Sequence, residues 1–95
     1  MRYTVQVQSG ALKALAHLPP TLRARAIAKI DALAVNPCPP GTRELAGGLK
    51  GICRIRVGDY RVAFTVDHEA ERVIVWAVGH RRSFYDELAR LDVNR

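Results

Sequence analysis

Hydrophobic and polar residues alternate with a period of two at the start of the chain and again along three runs in its second half. Tyr3, Val5 and Val7 alternate with polar neighbours, a pattern typical of a half-buried strand. The later runs predict three further strands, at 52–57, 60–66 and 72–78. The last run, "RVIVWAV", is apolar on both parities, as expected of a central strand covered on both faces.

Between the first strand and the others, apolar residues recur at helical spacing. Ser9 stands where it would cap a short helix, 10–17, and a proline pair then ends that helix and opens the next. The second helix places its apolar residues on one face of the helical wheel, at Leu22, Ala26, Ile30 and Leu33. The tail returns to helical spacing with Phe84, Leu88 and Leu91, preceded by a loose capping pair, Ser83 and Asp86.

The segment 36–51 is rich in Pro and Gly and predicts a surface connection, with a brief extended piece near 43–45. The order of elements is therefore β-α-α-β-β-β-(α), in a single domain that spans residues 1–95. We expect an α+β fold in which two N-terminal helices pack on one face of a mostly antiparallel four-stranded sheet. A short C-terminal helix follows the sheet.

The stretch "ICRIRVGDYRV" predicts a hairpin, because Gly58 and Asp59 are a two-residue turn between two strand runs. This turn sets Arg56 opposite Arg61. Side chains alternate between the two faces of the hairpin. One face is apolar and lines the core with Cys53, Ile55, Val57, Tyr60, Val62, Phe64 and Val66. The other parity carries Ile52, Arg54, Arg56, Arg61, Ala63 and Thr65. We expect this second face to be a basic patch with no arginine in the core.

Basic residues outnumber acidic ones, with 15 Lys and Arg against 9 Asp and Glu and a formal net charge of +6. This excess favours an anionic partner, whether nucleic acid, an acidic protein or a membrane surface. No apolar run reaches the roughly 18 residues of a membrane span, and the N-terminal residues lack a signal-peptide core. We therefore expect a cytoplasmic protein with no membrane partner.

Cysteine and histidine residues give no metal signature. Cys38 and Cys53 lack the paired spacing of a zinc or redox motif, and His17, His68 and His80 are far apart in the chain. We expect two reduced, structural cysteines, no metal site and no cofactor.

The directly opposed arginines are expected to cost stability, since like charges across a strand pair are unfavourable by a few tenths to about 1 kcal/mol. One interpretation is that nearby carboxylates, Glu44 or Asp59, neutralise a merely solvated face. The other is an anion site, completed by the segment "VGHRRSFYDEL" after the last strand. A cluster of guanidinium groups holds phosphate oxygens, and a phenol or imidazole moves protons.

Three motifs, "LKG", "RIRVGDYRVAFTVD" and "VGHRRSFYDEL", resemble the RelE/ParE superfamily of bacterial toxin-antitoxin toxins, and specifically its RelE branch. The resemblance runs from about Tyr3 to Tyr85. It implies a toxin that acts as a metal-independent endoribonuclease, cutting mRNA in the ribosomal A site to inhibit translation. Attack of the RNA 2′-hydroxyl on the adjacent phosphate would leave a 2′,3′-cyclic phosphate. The implied partners are a cognate antitoxin, the ribosome and mRNA.

The resemblance also implies roles for individual residues. Arg56 and Arg61 would hold the scissile phosphate, and Arg54 would position the neighbouring backbone. The best-known members carry lysine at the positions of Arg54 and Arg56, and arginine does not donate its proton, so these two act only through their charge. Arg81 would contact the phosphate or the leaving oxygen.

Proton transfer falls to two other residues near the C-terminus. Tyr85 is the candidate base for the 2′-hydroxyl, a role that requires surrounding cations to stabilise its phenolate. His80, whose imidazole exchanges protons near neutral pH, is the candidate general acid and an RNA-binding residue, together with Arg82.

Two other functions stay open. The ParE branch shares the fold but acts on DNA gyrase, so arginines that only bind an acidic antitoxin would indicate a gyrase inhibitor. A domain of charge +6 also binds nucleic-acid backbones without any chemistry. A translation assay discriminates these functions from a ribonuclease.

Overall fold

The computed structural model describes residues 2–91 and confirms the α+β architecture, with one correction. The strands are β1 (Thr4–Val7), β2 (Arg43–Glu44), β3 (Cys53–Val57), β4 (Tyr60–Asp67) and β5 (Arg72–His80). The helices are α1 (Ser9–Ala16), α2 (Pro20–Ala32) and α3 (Phe84–Ala89), with a short 3-10 turn at Gly47–Leu49. Four strands were expected and five are present, because the extended piece pairs with β3 as a two-residue strand too short to show alternation.

The sheet has the strand order β1-β5-β4-β3-β2. β1 pairs in parallel with β5, whereas every other neighbouring pair is antiparallel. β5 therefore has a hydrogen-bonded neighbour on each side, as its apolar sequence predicts. No helix in residues 2–91 has the length and apolar character needed to cross a bilayer.

The helix boundaries differ from the predicted ones at the caps. α1 begins at Ser9 itself, and the capping position is occupied by Gln8 without a side-chain hydrogen bond. The prediction that Ser9 caps the helix is wrong by one residue. α2 begins at Pro20, which suits a first helical turn because its missing N–H has no partner there in any case. Ser83 does precede α3, but its side chain makes no capping hydrogen bond.

The main core lies between the sheet and helices α1 and α2, and we call this side of the sheet the helix face. The helices and the residues just after them contribute the buried residues Ala11, Leu15, Leu18, Ala26, Ile30 and Leu33. The strands contribute Ile55, Val57, Val62, Phe64, Val73, Val75 and Val78. The apolar parity predicted for the hairpin is therefore confirmed.

A second, smaller core lies on the opposite side of the sheet, which we call the arginine face because it bears Arg54, Arg56 and Arg61. There α3 packs on β4 and β5, and the buried residues are Ile52, Ala63, Ala77, Phe84 and Leu88. The expectation that this face is only a basic patch is wrong, since the C-terminal helix covers part of it. The uncovered remainder holds Arg56, which is exposed, and Arg61, which is half-buried.

A β-bulge on β5 decides which of its residues face α3. Ala63 pairs with Ala77 but the next residue, Phe64, pairs with Val75, so Trp76 is an extra residue on β5. Its indole Nε1 donates to Thr65 Oγ1 at 2.9 Å. Because an extra residue shifts the alternation, Val78 returns to the helix face and Gly79 lies on the arginine face.

Candidate nucleic-acid interface

The predicted hairpin register is confirmed residue by residue. Val57 pairs with Tyr60, Arg56 with Arg61, and Arg54 with Ala63. Gly58 adopts φ 59°, a left-handed conformation that glycine takes without steric cost and that a two-residue hairpin turn requires. The turn thus places two arginine residues directly across from each other on the arginine face.

No carboxylate forms a salt bridge with this opposed pair within residues 2–91. Glu44 pairs with Cys53 on the neighbouring strand, and the salt bridge found in that range joins Arg81 to Asp59. Arg61 instead donates from Nη1 to the carbonyl oxygens of Gly58 at 3.2 Å and Tyr60 at 3.1 Å. Backbone carbonyls carry only partial negative charge, so the positive potential of the face is reduced but not cancelled.

Arg54 departs from the prediction, because it is buried. It lies between Arg43 of β2 and Ala63 of β4, and only 6% of its surface is exposed. Its Nε has no hydrogen-bond partner among the described residues. A buried cation without a partner is costly, so this guanidinium is suited to an anion that the free chain does not contain.

Arg81 is held at the tip of the hairpin. Its backbone N–H donates to the Asp59 carbonyl at 2.8 Å, and its Nε lies 3.8 Å from Asp59 Oδ1. The two side chains are 53% and 70% exposed, and a surface pair of this kind contributes about 0–1 kcal/mol. The side chain of Arg81 therefore exchanges Asp59 for another anion at little cost.

Tyr85 lies in the first turn of α3. It is 42% exposed, and its ring packs edge-to-face on Phe84 with 5.0 Å between centroids. Phe84 itself is fully buried on the arginine face. Because Phe84 anchors the first turn of α3, Tyr85 is displayed at the border of the same face.

Gly79 allows α3 to approach the sheet closely. A Cβ at this position would lie 3.3 Å from Glu87 Oε2 and 3.5 Å from the Phe84 Cα. Gly79 is also the β5 partner of Arg61, so Glu87 brings a carboxylate beside the strand position opposite that arginine. The sequence predictions omitted Glu87, although its spacing of three from the apolar Phe84 indicates the same side of the helix.

His80 and Arg82 are not brought together with the arginines. His80 pairs with Tyr60, and the two rings meet edge-to-face at 5.5 Å on the helix face. The backbone N–H of Arg82 donates to His80 Nδ1 at 3.3 Å, and the Arg82 side chain is exposed. The alternation of β5 thus turns the imidazole away from Arg56 and Arg61.

The two cysteines are free thiols, Cys38 exposed and Cys53 half-buried. Burial raises the pKa of the Cys53 thiol, and the charge of Glu44 and the proximity of Cys38 raise it further. A raised pKa keeps the thiol protonated and a poor nucleophile. Cys53 therefore takes part in packing at the edge of the helix face.

Taken together, these positions form an electropositive sheet face with a phenol and a carboxylate at its border. Arg56 and Arg61 offer planar donor groups that match two phosphate oxygens, and Arg81 adds a third cation at the hairpin tip. The arrangement can bind an anionic backbone and stabilise additional negative charge on it.

Comparison with known proteins gives one consistent family. Residues 3–85 match the family model described as the ParE toxin of the type II toxin-antitoxin system parDE. A protein of Methanocaldococcus jannaschii named as a RelE1 toxin is 28% identical over 88 residues, which are 90% of this chain and 97% of that protein.

Two solved toxin-antitoxin complexes contain a chain of the same fold. One is RelBE2 of Mycobacterium tuberculosis, with 29% identity, a TM-score of 0.75, and coverage of 85% of this chain and 93% of that chain. The other is the archaeal RelE-RelB complex of Pyrococcus horikoshii, with 29% identity, a TM-score of 0.75, and coverage of 85% and 97%. The chain therefore belongs to the RelE/ParE superfamily of type II toxins, in its RelE branch.

Proposed function

We propose that this toxin is an endoribonuclease that cuts mRNA in the ribosomal A site. The observation that carries the proposal is the Arg56–Arg61 pair, two arginines directly opposed on a sheet face, neither of which forms a salt bridge with a carboxylate among residues 2–91. A chain that needed only solubility gains nothing from this repulsion. A phosphodiester that binds between the two groups removes it.

In the proposed reaction, Arg56 and Arg61 hold the non-bridging oxygens of the scissile phosphate. The 2′-oxygen of the preceding ribose attacks phosphorus, and the bond from phosphorus to the 5′-oxygen breaks. The products are a 2′,3′-cyclic phosphate and a 5′-hydroxyl. Both arginines act most strongly on the pentacoordinate state, since this state carries more negative charge than the substrate.

Tyr85 is proposed as the base that takes the 2′-hydroxyl proton, and Arg81 as the cation beside the leaving oxygen. Tyr85 is exposed at the border of the arginine face, and Arg81 is held at the hairpin tip by a weak pair that RNA can replace. His80 has no chemical role in this scheme, because its ring packs on Tyr60 on the other side of the sheet. The proposed contribution of Arg82 is an exposed charge for the RNA backbone.

The experiment is a reconstituted translation reaction in which cleavage of ribosome-bound mRNA is mapped by primer extension. We expect Arg61→Ala to slow cleavage by about 10²–10³-fold, as for loss of a transition-state charge partner. Tyr85→Phe is expected to slow it by about 10²–10⁴-fold, as for loss of a general base. Arg25→Ala, an exposed arginine on α2 outside the site, is the control and should cleave at the normal rate.

The Glu87→Gln variant separates the two candidate bases. Full activity in this variant together with loss in Tyr85→Phe supports the phenol, and the reverse result assigns proton transfer to the carboxylate near Gly79. Intact mRNA together with gyrase trapped on DNA would instead support a ParE-like gyrase inhibitor. Ribosome or RNA binding without cleavage would indicate a non-catalytic binding module.

A cognate antitoxin is the proposed protein partner. Two of the relatives above were solved as complexes of a RelE toxin with a RelB protein. On this chain, Leu12 of α1 and Ile27 of α2 are exposed apolar side chains, 55% and 44% exposed, of the kind that an amphipathic partner helix covers. An antitoxin that also covers the arginine face or displaces α3 would block the site directly.

A further inference from the structure

A cavity of about 310 Å³ lies beside β3, between the end of α2 and the connection that leads to β2. Four cationic residues line it, namely Lys29, Arg43, Arg54 and Arg56. No Asp or Glu is among the described residues that line this α2–β3 cavity. A concave site lined by charges of one sign concentrates the opposite charge, so its ligand is an anion.

The guanidinium of Arg54 lines this cavity and can bind an anion there. Arg54 is the one charged residue that is buried in the described part of the chain, at 6% exposure, and its Nε has no hydrogen-bond partner there. A buried guanidinium that lacks a counter-charge favours the binding of any anion that reaches it. An exposed surface arginine has no comparable need, because water solvates it.

Lys29 is fixed at the rim of the same cavity. Its Nζ donates to the Arg56 carbonyl oxygen at 2.7 Å, which ties α2 to the open edge of β3. An ammonium group carries three N–H donors, and this hydrogen bond uses one of them. The lysine therefore offers further donors from a position that the backbone already holds.

The remaining walls are apolar and the volume exceeds that of a simple inorganic anion. Ala32, Pro39, Pro40 and Ile55 supply these walls. A volume of about 310 Å³ lies at the lower end of the range of small-molecule pockets, about 300–1,000 Å³. An anion bound to Arg54 thus leaves room for a larger attached group against the prolines, as small-molecule pockets of this size allow.

We propose that the α2–β3 cavity is a nucleotide subsite, in which Arg54 and Lys29 hold a phosphate and the proline wall contacts the attached nucleoside. The inference rests on the proposed function, which makes RNA the anionic ligand. Arg54 and Arg56 connect this cavity to the arginine face, so the subsite holds a nucleotide next to the scissile phosphate. Because the proline wall would contact the base or sugar, the subsite would make cleavage depend on which nucleotide lies beside the scissile phosphate.

The test is a titration of the isotope-labelled chain with adenosine 3′-monophosphate, followed by amide NMR. We expect saturable shifts at Gly41, Arg43 and Ile55, which line the cavity. Adenosine and inorganic phosphate, used separately, should bind there more weakly than the nucleotide, because each supplies only half of the contacts. Shifts confined to Arg61 and Arg81, with none at the cavity, would contradict the proposal.

Matched variants separate a specific subsite from general charge. Lys29→Gln should weaken nucleotide binding about tenfold, as for loss of a hydrogen bond to a charged group, whereas Lys13→Gln on α1 should leave it nearly unchanged. Ala32→Phe should fill the cavity and block binding, while Ala28→Phe, also at an exposed helix position, should not. Equal weakening by both members of either pair would overturn the subsite.

Two further outcomes are distinguishable. A glutamate-rich peptide that shifts the cavity amides when the nucleotide does not would assign the cavity to an acidic protein partner and reject the nucleotide. If the chain cuts mRNA on the ribosome but the nucleotide fails to bind, only the subsite is rejected. If the nucleotide binds at the cavity and mRNA stays intact, the ribonuclease proposal fails and the cavity remains a nucleotide site.

Discussion

The two faces of the β3–β4 hairpin share one backbone and one alternation of side chains, yet they differ in how completely helices cover them. The helix face lies under α1 and α2, of 8 and 13 residues, and its side chains are buried around Phe64. The arginine face lies under α3, of 6 residues, which covers the sheet around Ala63 and Ala77 only. Partial cover leaves room for exposed charge beside a small core.

This difference separates stability from function within a few residues. The helix face gains free energy from apolar burial, whereas the opposed Arg56 and Arg61 lose some through repulsion. In the proposed function, a bound phosphodiester would relieve that repulsion. The core on one side of the hairpin therefore offsets the cost of the site on the other.

Two equally buried phenylalanines test the comparison most strongly. Phe64→Ala on the helix face should lower the free energy of unfolding by about 3–5 kcal/mol, since it leaves a cavity in the main core. Phe84→Ala on the arginine face should cost less globally, because α3 can undock while the sheet stays folded. Urea denaturation measures both variants.

Hydrogen exchange provides the control for this pair. In Phe84→Ala, amides of α3 should exchange faster while those of β4 and β5 keep their protection. An equal loss of global stability in the two variants would show that the two faces unfold as one unit and that α3 does not undock separately from the sheet.

Gly79→Val tests how α3 is held over the arginine face. The Cβ alone would lie 3.3 Å from Glu87 Oε2 and 3.5 Å from the Phe84 backbone, so the added methyl groups overpack the contact. We expect the free energy of unfolding to fall by about 1–3 kcal/mol. The rate of mRNA cleavage should also fall, because Tyr85 moves with α3. Gly48→Val, whose Cβ would meet nothing within 4 Å, is the matched control. Unchanged activity would place Tyr85 outside the site.

The sequence predicted the hairpin well because its information is local. A two-residue turn and strict alternation determine the register from Cys53 to Phe64, including the Arg56–Arg61 pair. Helix spacing likewise predicted that Ala26 and Ile30 of α2, and Leu33 directly after it, enter the core. These features depend on neighbours along the chain, which a single sequence displays directly.

What the sequence did not predict depends on contacts between distant segments. The burial of Arg54 requires β2 and β4 to lie on either side of it, and His80 faces Tyr60 only because Trp76 adds a bulge to β5. A bulge shifts alternation without a clear signal when both parities are apolar, as in this strand. The α2–β3 cavity likewise exists only once Lys29 meets Arg56 across the sheet edge.

Arg56→Gln should change stability in the opposite direction from the core variants. Removing one of two opposed like charges is expected to raise the free energy of unfolding by a few tenths to about 1 kcal/mol. The Lys29 contact survives, since it goes to the backbone carbonyl. Arg72→Gln is the control, because Arg72 lies opposite Asp67 and its loss relieves no repulsion. The gain should shrink at 1 M salt, where the Debye length is about 3 Å, and a gain that persists there would exclude an electrostatic cause.

The smallest expected effect concerns the edge of the helix face, where Cys53 begins the apolar row of β3. Burial and Glu44 raise the pKa of its thiol, so less thiolate is present at a given pH. In a Cys38→Ser variant, iodoacetamide should label the folded chain more slowly than the urea-unfolded chain, and the pH midpoint of labelling should be higher when folded. Adding Glu44→Gln should lower the folded midpoint only partly, because burial is the larger cause. Identical midpoints in the folded and unfolded chains would mean that the helix face is open at this edge, as the arginine face is.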